Sequence, residues 1–155
     1  MSLQDQLSLL RRRIAAIERK WDAPVARVEP ERLPGEIVET EAGRHWECEI
    51  LYPAHARHGS IPIDSMAALP DDLPGALSAG KIRAAPPERW AFLDTETTGL
   101  AGGTGTCAFL VGVGRVCAEG FRVRQFFMRD FREESSLLQA LAAHLAAFPV
   151  LITYN

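Results

Sequence analysis

The sequence has no CxxC pair, no apolar run near the ~20 residues that a membrane span needs, and no strong excess of either charge. Its three cysteines, Cys48, Cys107 and Cys117, are odd in number and widely separated, which argues against both a disulfide framework and a zinc site. A reducing, cytoplasmic setting is the expected one, because the N-terminus also lacks the apolar core of a signal peptide. A formal net charge of -3 and a pI near 5.8 provide no overall attraction to phosphate, so any contact with nucleic acid must be local. Gly-Lys-Ser/Thr does not occur, which excludes a Walker P-loop.

What is present is a globular composition, 47% hydrophobic and 24% charged over 155 residues, enough for one domain or a small domain with an arm. Residues 1–21 place Leu3, Leu7, Leu10, Ile14, Ile17 and Trp21 at steps of four and three, an amphipathic helix. That helix packs on its own domain or serves a partner or self-association. Residues 22–89 open with a proline-rich linker through Gly35. "EIVETEAGRHWECEILY" follows as a hairpin turning at Ala42 and Gly43, and then an irregular covering segment rich in Pro, Ala, Gly and Asp leads to a boundary at Pro86 and Pro87.

From residue 90 to 155 the pattern tightens. "WAFLDTE", "CAFLVGVGRVC" and "GFRVRQFFMRD" read as three strands, close enough in sequence to be antiparallel neighbours. "EESSLLQALAAHLAAF" carries Leu137, Leu138, Leu141, Leu145 and Phe148 on one helical face, with acids at its positive end and Pro149 after it. "PVLITYN" is a fourth strand, which a helical crossover allows to run parallel to one already in place. The expected class is α/β, a mixed sheet that needs cover on both faces.

Asp94 and Glu96 end the first of these strands. Residues i and i+2 share a strand face, so their Cα atoms lie roughly 6.5 to 7 Å apart. Two such carboxylates repel unless a cation lies between them, and hard oxygens suit Mg²⁺ or Mn²⁺. For the pair alone, an ordinary strand end with both acids solvated is the better account, because acids often decorate strand ends. The wider string separates the two readings.

"FLDTETTGL" resembles the first motif of the DEDD exonucleases of the ribonuclease H-like superfamily. The run "FLDTETTGLAGGTGTCAFLVGVGRV", with "QFFMRDFREESSLLQAL" and "LITYN", is similar to the narrower YprB-type ribonuclease H-like family of bacteria. The resemblance implies a partial ribonuclease H-like fold, a two-metal Mg²⁺ or Mn²⁺ site and a nucleic acid substrate cut by phosphodiester hydrolysis, 3′ to 5′. It makes Asp94 and Glu96 metal ligands, and Thr97 and Leu100 contacts to the terminal nucleotide. Tyr154 and Asn155 match the opening of a second motif whose metal-binding Asp does not follow in this sequence. With half of the expected carboxylates, the 155-residue chain is expected to be a fragment with little turnover. The alternative is a noncatalytic nucleic-acid-binding or assembly module on the same fold.

Three other features invite a function. Gly103 to Ala108 satisfies GxGxxA, but a strand-like run follows where the dinucleotide fingerprint needs a helix, so a tight connection is expected there. His45, His55 and His58 with Cys48 match no standard zinc spacing. Arg122, Arg124, Arg129 and Arg132 suit phosphate geometry, although an edge strand also uses charge against aggregation.

Overall fold

The computed structural model describes residues 34–98 and 106–153. The N-terminal helix, nearly all of the linker, Leu100 with the glycine run, and Tyr154 and Asn155 lie outside the described residues. A compact unit begins at Gly35. Its strands are β1 (Glu36–Thr40), β2 (Gly43–Pro53), β3 (Arg57–His58), β4 (Ile61–Pro62), β5 (Trp90–Thr97), β6 (Ala108–Cys117), β7 (Gly120–Phe127) and β8 (Val150–Thr153). The helices are α1 (Leu73–Leu77) and α2 (Glu134–Leu145), with 3₁₀ turns at Ile63–Ala68, Pro87–Arg89 and Phe131–Glu133. Among the described residues, no helix is long and apolar enough to cross a membrane.

Six strands form one mixed sheet in the order β1-β2-β7-β6-β5-β8, antiparallel throughout except for the parallel β5–β8 pair. The α/β class, the three antiparallel strands after Trp90, the crossover helix and the parallel last strand match the expected order. The sheet is wider than the four strands expected, because β2 pairs with β7 from Trp46↔Phe127 to Pro53↔Gly120. Hairpin and later strands thus share one sheet, and Pro86 and Pro87 mark only a change of local structure. It follows that β7 is interior and its arginines guard no edge. Across the β2–β7 ladder Arg122 Nη1 donates to Glu49 Oε1 at 2.7 Å, and Arg124 Nη2 lies 2.5 Å from Glu47 Oε2.

Period-two alternation gives the sheet two apolar faces. On one, Ala91, Val111, Val113, Phe126 and Met128 meet Leu137 of α2 in the buried core, with Leu141, Leu145 and Phe148 packed beside them. Leu138 does not join them and is 52% exposed, since it lies one residue, about 100°, around the helix from Leu137. On the other face Trp90 donates Nε1–H to the Ala85 carbonyl at 2.8 Å, and Phe92 meets Phe121 edge-on at 5.7 Å between centroids. The Phe121 ring occupies the place of a side chain at Gly114, where an added Cβ would stand 2.4 Å from its Cζ. Residues 54–89 cover this end of the face, packing on β6 and β7 through their 3₁₀ turns.

Gly120 opens β7 at φ +141°, and an added Cβ would stand 2.2 Å from the Tyr52 carbonyl oxygen and 2.6 Å from the Ala54 nitrogen. Strain and backbone collision act together there, so Gly120→Ala is expected to lower stability by about 2–3 kcal/mol. Gly43→Ala is the control: φ is +126°, but nothing lies closer than 3.9 Å to the added carbon. It should lose only about 1 kcal/mol, and urea midpoints of the two variants would measure the difference.

His144 packs between Phe126 and Phe148, with ring centroids 5.7 and 5.6 Å away. Its buried Nε2 has no hydrogen-bond partner among the described residues. Burial, aided by the charges of Arg124 and Arg115, pushes its pKa below the ordinary 6.5. A depressed pKa means that the unfolded chain takes up the proton first, so this contribution is intact above pH 6.5 and is lost as pH falls below it. His144→Leu is therefore expected to raise stability by about 1 kcal/mol near neutrality and by more at pH 5.5, as read from urea midpoints at the two pH values.

Candidate metal centre

Strand β5 is buried at Trp90 and Ala91, half-buried at Phe92 and Leu93, and exposed from Asp94 onward. The chain thus carries an apolar strand out of the core and places acids where it meets solvent. Asp94 and Glu96 share one face, and neither makes a hydrogen bond or ion pair with any described residue. Asp94 lies directly across from Gly112 on β6, and nothing stands within 4 Å of where a Cβ would project from that glycine. Glycine leaves the space across from the carboxylate open.

The β5–β6 register shifts between Glu96 and Thr97, an irregularity of the kind that re-aims side chains beside functional sites. Past it, Thr98 N–H donates to the Cys107 carbonyl at 2.9 Å and Cys107 N–H donates to Thr98 Oγ1 at 3.2 Å. These bonds pin together the two flanks of the glycine-rich connection. The strand that follows, β6, takes the place of the helix a dinucleotide fingerprint would need.

On its other side β5 pairs with β8 in parallel, from Trp90↔Val150 to Leu93↔Thr153. Both carboxyl ends therefore point the same way, the end at which open α/β sheets hold ligands. The carboxylates follow immediately on β5. Thr97 closes the strand, exposed, one residue past Glu96. Leu100, Tyr154 and Asn155 lie outside the described residues.

The pair fits a hard divalent cation as two ligands: both are oxygen donors, exposed, and facing open space. Among the described residues no group of three or more His, Cys, Asp or Glu is placed to hold a metal. His45 and Cys48, three residues apart on β2, point to opposite faces of the sheet. His55 and His58 are exposed on or beside β3.

A second polar cluster escapes the motif reading. His45, 0% exposed, lies 2.8 Å through Nδ1 from Ser136 Oγ and 2.7 Å through Nε2 from Glu47 Oε1. Thr40 Oγ1 donates to Ser136 Oγ at 2.9 Å, and Arg124 Nε donates to Glu47 Oε2 at 2.6 Å. With the ring proton on Nε2, every donor in this chain finds an acceptor. The order Ser, His, acid imitates a hydrolase triad, but Ser136 is 0% exposed and no substrate can reach it. The cluster ties β1, β2 and β7 to α2. Its trace in the sequence is the alternation His45, Glu47, Glu49, three polar residues on one strand face.

Residues 91–155 match the family model of the RNase H superfamily, a span that starts at the second residue of β5 and contains both carboxylates. Over 112 residues the chain is 31% identical to a protein of Bacillus subtilis strain 168 named uncharacterized protein YprB. The match takes in 69% of this chain and 26% of that protein, so the chain spans about a quarter of its relative's length. The sheet order, with its antiparallel strands and one parallel pair, is that of a partial ribonuclease H-like fold, a nuclease-type fold. With the DTETTG run at the end of β5, the two matches support a YprB-type ribonuclease H-like family for this chain.

Proposed function

We propose that the protein is a cytoplasmic, metal-dependent nuclease that hydrolyses phosphodiester bonds from a 3′ end of nucleic acid, with Asp94 and Glu96 as two of its metal ligands. The observation that carries this reading is the placement of the pair: one strand face, exposed, without a partner among the described residues, at the shared carboxyl end of β5 and β8. A bound Mg²⁺ or Mn²⁺ would supply charge stabilisation at the phosphate and a nucleophile at neutral pH. The chain's own part is to hold two carboxylates apart on a rigid strand, to keep space beside Asp94 through Gly112, and to set Thr97 and Leu100 against the terminal nucleotide.

A second reading, a noncatalytic module binding nucleic acid or assembling with a partner, is favoured by one observation: no third ligand stands with the pair among the described residues. Metal-dependent cleavage by the protein, compared with its Asp94→Ala variant, separates the two. Cleavage that survives the substitution would remove Asp94 from the chemistry.

A further inference from the structure

A groove of about 420 Å³ opens at the same end of the sheet as the carboxylates, lined by Thr98, Phe109, Phe127, Arg129, Asp130 and Phe131 among others. Thr98 stands two residues beyond Glu96. The registers Glu96↔Leu110 and Leu110↔Phe127 put Glu96 and Phe127 on one sheet face, two strands or about 10 Å apart. Phe131 stands at the groove 68% exposed, the most exposed large aromatic side chain among the described residues.

The turn that presents Phe131 is braced on both sides. Arg132 N–H donates to Asp130 Oδ1 at 3.0 Å, and Glu133 N–H donates to the Asp130 carbonyl at 2.9 Å. Arg129 donates to Glu133 from its backbone N–H at 2.9 Å and from Nε at 3.2 Å, and its guanidinium also lies over the Trp46 ring at 5.7 Å. These contacts occupy Arg129. Arg132, with its side chain 94% exposed and Nε 3.7 Å from Asp130, keeps most of its guanidinium free beside Phe131. An exposed ring on a preorganised turn, with a cation next to it and further phenylalanines behind it, is the equipment by which proteins hold unpaired bases: stacking on the ring and charge for the backbone.

We infer that this groove seats an unpaired base of a single-stranded nucleic acid, close to the nucleotide held at Asp94 and Glu96, with Phe131 as the stacking platform and Arg132 on the adjoining phosphate. The inference rests on the nuclease reading for the direction of the strand, but the binding it asserts does not depend on catalysis.

The test is fluorescence anisotropy with short dye-labelled oligonucleotides, DNA and RNA, in EDTA so that metal plays no part. Phe131→Ala should weaken single-strand binding about tenfold, and Phe131→Trp should restore it. An oligonucleotide with abasic positions should bind wild-type protein about as poorly as the intact strand binds Phe131→Ala. Arg132→Gln should reduce the slope of log affinity against log salt by about one. Phe131 is exposed, so circular dichroism should find its variants folded as wild type. Equal affinity of wild type and Phe131→Ala, equal binding of intact and abasic strands, or no oligonucleotide binding at all overturns the inference; the last is the result expected if the groove instead receives an apolar protein segment. Phe131-dependent binding in a protein that cleaves nothing would keep the groove and remove the nuclease. Cleavage with KM unchanged in Phe131→Ala would do the reverse.

Discussion

Asp94→Ala is expected to reduce metal-dependent cleavage by at least about 100-fold while leaving the fold as stable as wild type or slightly more so. The two effects come from one feature. Asp94 is exposed and bonded to no described residue, so its removal breaks no contact and relieves repulsion from Glu96, an effect of a few tenths of a kcal/mol at a solvated surface. In the proposed reaction the same carboxylate would carry half of the negative charge that this strand offers a cation, and charge stabilisation by a bound metal is worth several kcal/mol. Asp94→Asn is the sharper variant, since it keeps the shape and an acceptor oxygen and removes only the charge. It should lose nearly as much activity, with kcat falling at saturating metal and the thermal midpoint unmoved. A variant that lost activity in proportion to lost stability would show instead that Asp94 holds the strand together. Cleavage by Asp94→Asn within about twofold of wild type would end the metal-ligand assignment.

The strands after Trp90 were legible because each carries its own period-two pattern and the links between them are short. Pairing over distance was not. The hairpin "EIVETEAGRHWECEILY" shows two strands and their turn, but nothing local says that Cys48 will meet Gln125, 77 residues away. For that reason Arg122 and Arg124 looked like edge charges, when their counter-charges stand on a strand far back in the sequence. His45 was obscured in the same way: its partner Ser136 is 91 positions distant, and only the fold makes the imidazole a buried tie. Asp94 and Glu96 were readable because two residues on one strand define a face without help from elsewhere. The groove at Phe131 was not, since its walls come from Thr98 just past β5, from β6 and β7, and from the turn after β7. No single stretch of sequence contains it.

Glu47→Ala is expected to be the most destabilising of the single substitutions considered, at about 3–5 kcal/mol. Glu47 is 5% exposed, and its two oxygens answer different partners: His45 Nε2 at 2.7 Å and the Arg124 guanidinium, with Nε at 2.6 Å. Truncation leaves the ring nitrogen of a fully buried histidine without its acceptor and strips a partly buried arginine of its counter-charge. It also opens space under α2, because Ser136 is held through the same ring. The neighbouring pair provides the contrast. Arg122 and Glu49 make a bond of similar length, 2.7 Å, on the same ladder, but their side chains are 28% and 39% exposed. Water can replace either partner, so Glu49→Ala should lose no more than about 1 kcal/mol. Glu47→Gln keeps one acceptor for His45 and gives up the charge facing Arg124, and it should fall between the two. Arg124 is itself 35% exposed and can turn toward solvent once Glu47 is gone. Most of the loss therefore belongs to His45, and His45→Phe should suppress the greater part of the Glu47→Ala penalty in a double-mutant cycle read from urea midpoints. Equal losses for Glu47→Ala and Glu49→Ala would mean that burial confers no special weight on this network. A full Glu47→Ala penalty in the His45→Phe background would move its origin to the arginine.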